Sequence, residues 1–152
     1  MIKVLFVCLG NICRSPMAEL IMKDLINKSG LNEKIYVDSA GTSDEEEGNP
    51  IYFLAQNKLE DNGIDTWGKF AKKMSYLDYD KFDYIIGMER KNIIDILQII
   101  GTDPKNKVYR LMDFTAIPRD IDDPWYTRDF DKAYDEIKEG CQELLKYLAQ
   151  KI

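Results

Sequence analysis

Val4-Leu5-Phe6-Val7-Cys8-Leu9-Gly10-Asn11-Ile12-Cys13-Arg14-Ser15-Pro16 is the stretch from which the fold can be read. Ile2 to Val7 is short, rich in β-branched and aromatic residues, and stops before a Gly-Asn loop, so it reads as a buried strand. From Ser15 the apolar period changes. Ala18, Ile21, Met22, Leu25 and Ile26 recur at helical spacing, with Ser15 expected as the cap and Pro16 in the first turn. The loop between them thus carries a thiol from a strand end to a helix N-terminus. Backbone N–H groups in such a loop, together with the helix dipole, favour an anion. The same positive surroundings favour a nucleophilic thiolate. Anion site and nucleophile coincide.

Outward from that stretch, strand and helix patterns alternate. Ser29-Gly30 closes the first helix, and Ile35 to Val37 reads as a second strand. It runs into a small-residue loop, Asp38-Ser39-Ala40-Gly41-Thr42, and then the acidic run Asp44 to Glu47. A second helix is expected over roughly Pro50 to Asp61, stopped by Asn62-Gly63. Ile64 to Ser75 reads as a loop with a short extended piece. Tyr84 to Ile86 is a third strand broken at Gly87. Ile93, Ile96, Leu97 and Ile100 mark a third helix closed by Gly101, and Lys107 to Leu111 a fourth strand. After a polar loop through Pro118 and Pro124, one apolar stripe (Phe130, Tyr134, Ile137, Cys141, Leu144, Leu145, Leu148) defines the last helix. Such alternation predicts an α/β fold with a parallel sheet covered on both faces. At 152 residues one domain is expected, residues 1–152. Ligands of such folds sit beyond the carboxyl ends of the strands, where Cys8 and Ser39 fall.

Composition removes several classes of function. The net charge of −6 argues against a nucleic-acid partner, which calls for a basic face. No stretch reaches the length of a membrane span, and the first residues look like a strand rather than a signal peptide. Cys8, Cys13 and Cys141 are an odd number, unsuited to a disulfide framework and suited to a reducing cytoplasm. The chain has no histidine. That excludes Cys-His dyads and Ser-His-Asp triads and argues against a metal site of the zinc type.

The chemistry that remains is that of an oxyanion. Cys8 and Arg14, at Cys-x5-Arg spacing, would wrap a loop around a tetrahedral oxyanion, with the amides of Leu9, Gly10, Asn11, Ile12, Cys13 and Arg14 as donors. Arg14 offers a planar fork that lysine lacks. Ser15 is placed to hydrogen-bond the thiolate. Gly10 permits positive φ, and Asn11 tolerates a left-handed backbone and can tie its side chain to the loop and to Ser39. The competing reading is an inert buried cysteine with Arg14 on the surface. A thiolate attacking phosphorus needs an acid for the leaving oxygen. Candidates lie in Asp120-Ile121-Asp122-Asp123-Pro124-Trp125-Tyr126, and Pro124 holds Asp123 extended and best presented. Trp125 and Tyr126 could wall a slot for a flat group. The alternative is a solvated acidic loop whose aromatics cap the core.

Val-Cys-Leu-Gly-Asn-Ile-Cys-Arg-Ser-Pro-Met-Ala-Glu at 7–19 resembles the signature of the low-molecular-weight protein tyrosine phosphatases. Asp-Ser-Ala-Gly-Thr at 38–42, Phe-Asp-Tyr-Ile at 82–85 and Asp-Asp-Pro-Trp-Tyr at 122–126 resemble further family motifs, in family order. The resemblance implies a three-layer sandwich around a four-stranded parallel sheet in flavodoxin-like, doubly wound order. It implies hydrolysis of phosphotyrosine in protein substrates through a phosphocysteine on Cys8, without metal or other cofactor; the oligomeric state is open, with a monomer favoured. Arg14 and the loop amides would bind phosphate, Ser15 would support the thiolate, and Asn11 with Ser39 would brace the loop. Asp123 would protonate the phenol and then deprotonate water. Cys13 matches the cysteine that in the family can trap Cys8 as a reversible disulfide.

This sequence also departs from the family pattern. Asn62 stands where many members have histidine, so that structural hydrogen bond must be rebuilt. Glu89 replaces the usual aspartate, and Trp125 the commoner tyrosine. Glu45 lies near where many members place an aromatic that lines the slot with Ile12, Trp125 and Tyr126, so an acidic rim is expected. Arsenate reductases with the same loop need a further pair of closely spaced cysteines in mid-chain, absent here. Protein arginine phosphatases of the same fold have threonine where Ile12 stands. A non-catalytic phosphotyrosine-binding module would lack the nucleophile or the acid, and both are present.

Overall fold

The computed structural model describes residues 1–152. Strands β1 (Ile2–Cys8), β2 (Ile35–Gly41), β3 (Tyr84–Gly87) and β4 (Val108–Arg110) alternate with helices α1 (Arg14–Lys28), α2 (Phe53–Asp61), α3 (Asp78–Lys81) and α4 (Arg90–Ile100). A 3₁₀ turn at Leu111–Phe114 follows β4, and α5 (Pro124–Thr127) and α6 (Phe130–Ala149) end the chain. The sheet is parallel throughout, in the order β2-β1-β3-β4. β1 is therefore central, and the chain turns from one side of it to the other between β2 and β3. That reversal creates the crevice in which open α/β sheets bind ligands.

The apolar run in β1 serves both faces of the sheet. Val4, Phe6 and Cys8 join the larger core, with Met17, Ile21 and Met22 of α1 and Ile137, Cys141, Leu144 and Leu148 of α6. Leu5 and Val7 point to the opposite core, with Phe82, Ile85 and Ile96. A strand buried on both faces needs this unbroken hydrophobicity. On α6, Leu145 is only partly buried and marks the edge of the stripe. The strand, loop and helix order at residues 2–28 thus places a sheet-centre thiol against a helix start.

Several boundaries differ from the sequence reading. α1 begins at Arg14 with Cys13 as its cap position and no side-chain cap. Ser15 is not the cap; its hydroxyl is turned toward Cys8 instead. β2 continues through Ser39 and Ala40 to Gly41, residues expected in a loop. Small residues are required there because a Cβ on Gly41 would lie 2.8 Å from the Leu9 carbonyl oxygen. α2 starts at Phe53 because Pro50 is drawn into an antiparallel bridge with Phe70. α3 and α5, of four residues each, are too short to show a helical period. Gly10 does not use positive φ; the left-handed residue of the loop is Asn11, at φ 58.

Candidate active site

β1 delivers Cys8 to the floor of a cleft of about 220 Å³ at the carboxyl end of the sheet. Leu9, Gly10, Ile12, Cys13 and Arg14 form its wall on the loop side. Ser43, Glu45 and Glu46 line a second side, and Asp123, Trp125 and Tyr126 a third. The loop is held from outside through its carbonyls, which accept from other segments: Cys8 from Thr42, Leu9 from Ser43 and Ile12 from Tyr52. The amides of residues 10–14 donate to no backbone or side-chain group of the protein. Asn11, Cys13 and Arg14 are buried, and unpaired donors at buried residues are costly, so this loop is built to meet an acceptor from outside the chain.

Beneath the loop lies a hydrogen-bond chain whose polarity can be assigned. Asn11 Nδ2 donates to Ser15 Oγ at 2.8 Å and to Ser39 Oγ at 3.0 Å. Asn11 Oδ1 accepts from the amide of Lys72 at 3.1 Å. The Ser39 hydroxyl donates to Glu19 Oε1 at 2.6 Å, and Glu19 pairs with Lys69 at 2.9 Å. Because Ser15 Oγ accepts from Asn11, its own proton is left for Cys8 Sγ at 3.0 Å or the Ala40 carbonyl at 3.5 Å, and a thiolate at the nearer sulfur is the stronger acceptor. A thiolate on Cys8 thus has a donor already aimed at it.

Arg14 is 1% exposed, yet it is charged. Its Nη1 donates to the Ile121 carbonyl at 2.8 Å, and its Nη2 pairs with Glu89 at 3.0 Å and Asp123 at 3.3 Å. Burial works against the charged form. The charges of Cys8, Asp123 and Glu89 outweigh it, and the guanidinium is held more firmly protonated than usual. Cys13 is pushed strongly upward, first by burial and then by the negative charges of Cys8 and Asp123. Cys141 is raised by burial alone and sits in the core. Of the three thiols, only Cys8 has both a donor at its sulfur and a place on the cleft floor.

The carboxylate of Asp123 is fixed through the start of α5, where Oδ1 accepts from the amide of Trp125 at 3.0 Å. Trp125 and Tyr126 are 43% and 74% exposed, as open walls of a slot would be. Every residue named from sequence as catalytic or slot-forming lines this one cleft. Ser39 lies behind it, fully buried. Asn62 is exposed and donates to the Lys58 carbonyl, closing α2; the brace on the loop from this part of the chain is the Lys72 amide.

Sequence reasoning did not give Glu89 a function, and it did not single out Glu19, Glu46, Lys69, Tyr52 or Arg128. Glu19 had a detectable signal, a carboxylate one helical turn after Ser15 and among apolar neighbours. Lys69 and Arg128 stand in segments without periodicity and had none.

The comparisons with known proteins bear on the family and the fold. A family model for the low molecular weight phosphotyrosine protein phosphatases matches residues 3–152. The low molecular weight protein-tyrosine-phosphatase YfkJ of Bacillus subtilis is 45% identical over 147 residues, covering 95% of this chain and 94% of its own. Its crystal structure superposes with a TM-score of 0.96 at 43% identity, over 99% of this chain and 96% of that one. A Drosophila arginine phosphatase also superposes, with a TM-score of 0.89 at 33% identity, over 97% of this chain and 98% of its own.

Proposed function

The chain belongs to the low molecular weight phosphotyrosine protein phosphatase family, and we propose from that premise that it hydrolyses phosphotyrosine in protein substrates, with Cys8, Arg14 and Asp123 performing the chemistry. The observation that carries the assignment of residues is their meeting in one cleft. Cys8 Sγ has Ser15 at 3.0 Å, and Asp123 reaches the phosphate-binding guanidinium of Arg14 at 3.3 Å.

In the first half-reaction the Cys8 thiolate attacks phosphorus, forming an S–P bond as the P–O bond to the aryl group breaks. The departing phenolate takes a proton from Asp123. Arg14 and the free amides of residues 10–14 hold the three equatorial oxygens, where charge builds up. In the second, Asp123 takes a proton from water as its oxygen attacks phosphorus. The S–P bond breaks, Ser15 receives the returning thiolate, and inorganic phosphate leaves. No step needs a metal or an imidazole.

Ile12 on the cleft wall favours an aryl ring over a guanidinium-linked phosphate. The three cysteines, all unpaired and buried, suit a reducing cytoplasm, and no helix is long and apolar enough to cross a membrane. The test compares turnover of phosphotyrosine, phosphoserine, phosphoarginine and arsenate, with Cys8→Ser and Asp123→Asn as controls. Phosphotyrosine should be the preferred substrate and Cys8→Ser inactive yet still able to bind it. Preference for phosphoarginine, or phosphotyrosine binding without turnover by the unaltered protein, would refute the assignment.

A further inference from the structure

α5 is a four-residue helix whose two ends are both tied down by side chains. At its start Asp123 accepts from the Trp125 amide. At its end stands Arg128, at φ 62 and ψ 13. A left-handed backbone is unfavourable for an arginine, and such residues persist where the surroundings over-determine them. The surroundings here are specific. The guanidinium donates from Nη1 to the Trp125 carbonyl at 3.1 Å and from Nη2 to the Tyr52 hydroxyl at 2.6 Å. It also lies 5.3 Å from the ring centre of Tyr52, 5.8 Å from Trp125 and 5.7 Å from Phe130. Tyr52 and Trp125 meet edge to face at 4.8 Å, and the Tyr52 amide donates to the Ile12 carbonyl of the anion loop at 2.9 Å.

These contacts form one unbroken path. It runs from the anion loop at Ile12 through Tyr52 and the Arg128 fork to the carbonyl of Trp125, the residue whose own N–H, one peptide unit earlier, holds the Asp123 carboxylate. We propose that Arg128 is a positioning residue for the acid step: it fixes the stance of Asp123 over the leaving oxygen, and that of the Trp125 wall, relative to Cys8. The inference rests on the phosphatase reading and adds to it a residue that touches neither phosphate nor nucleophile. A fork is required because two acceptors on different segments are bridged at once, which a lysine ammonium on a flexible stem does not reproduce.

The role predicts a dependence on leaving group that a mere staple would not show. Protonation matters most for a poor leaving group such as phenol and little for 4-nitrophenol. Arg128→Gly keeps the left-handed backbone freely available while removing the fork together with its contacts to the Tyr52, Trp125 and Phe130 rings. Its kcat/KM should fall by about tenfold on phenyl phosphate and by less than about threefold on 4-nitrophenyl phosphate, since misplacing a catalytic group by about 1 Å can cost ~100-fold. Inhibition by inorganic phosphate should stay within about twofold, because the anion loop itself is intact, and this doubles as the check on folding. Arg128→Lys should recover less than half of the loss. Adding Arg128→Gly to Asp123→Asn should cost nothing further, since both remove the same step. Equal losses on the two esters, no loss on either, or additive losses in the double variant would overturn the role of Arg128. If the unaltered protein turned over neither ester, the phosphatase reading itself would fall, and Arg128 with it.

Discussion

Asn11 shows how much of this site is decided by single side chains. It is buried, its backbone is left-handed, and both ends of its amide are used. Replacing it with alanine leaves the Ser15 and Ser39 hydroxyls and the Lys72 amide short of a partner, so Asn11→Ala should destabilise the fold by about 1–3 kcal/mol. Activity should fall as well, because Ser15 is no longer turned toward Cys8; a variant as stable and as active as the parent would contradict this. Cys13 tests selectivity among the thiols. Burial first, and then the charges of Cys8 and Asp123, raise it, so it stays neutral through the physiological pH range. Iodoacetate at neutral pH should therefore label Cys8 first, and inorganic phosphate should protect it; peptide mapping that found Cys13 labelled first would show the opposite. At the rim, Glu45 and Glu46 set the charge met by a substrate's flanking residues. Phosphopeptides with acidic flanks should react more slowly than basic ones at low salt, the difference shrinking as salt rises. Glu45→Lys with Glu46→Lys should reverse the order.

At the scale of elements, the chain reveals most where a face is long and apolar. β1, α1 and α6 could be read because their patterns run for many residues. β2 is longer than its sequence suggests, since Ser39, Ala40 and Gly41 look like a loop, although they are small in order to let the anion loop pack against them. Ser15 has the look of a helix cap without being one, because a serine before a proline carries the same signal whether its hydroxyl meets an amide or a thiol. Gly140 on α6 packs against the 3₁₀ turn so closely that a Cβ would lie 2.5 Å from Leu111 Cγ. Gly140→Ala should therefore overpack this contact and cost about 1–3 kcal/mol, despite alanine's better helix propensity. A rise in Tm would show that the turn yields freely. Asp103 anchors the approach to β4. Burial pushes its carboxyl up, but donors from the Tyr79 hydroxyl and the amides of Lys107 and Val108 prevail and lower it. The folded state thus favours the charged form more than the unfolded state does. That stability is present above about pH 4 and is lost as pH falls through the depressed folded value. Asp103→Asn should lower Tm at neutral pH and show a shallower acid-induced decline than the parent.

At the scale of the molecule, a strand order with β1 at its centre brings together groups far apart in sequence. Arg14 meets the Ile121 carbonyl across 107 residues, and Asp123 follows two positions later. The nucleophile could be read because the strand, the Cys-x5-Arg loop and the helix are contiguous. Asp123 could be narrowed down because Pro124 restricts the residue before it. The supports of the site came from elsewhere: Lys69 reaches Glu19 and Arg128 reaches Tyr52 through long-range contacts that no local pattern records. The chain carries a net charge of −6, so its attraction for a phosphate dianion is local, confined to Arg14, the free amides and the start of α1. Everything proposed for this cleft depends on a covalent bond between phosphorus and Cys8. The direct measurement is rapid acid quenching during turnover of an aryl phosphate, followed by mapping of the phosphorylated peptide. Phosphate on Cys8 during steady-state turnover, and none anywhere in Cys8→Ser, is the expected result. Turnover with no phosphate on Cys8, or with phosphate carried by Cys13, would contradict it.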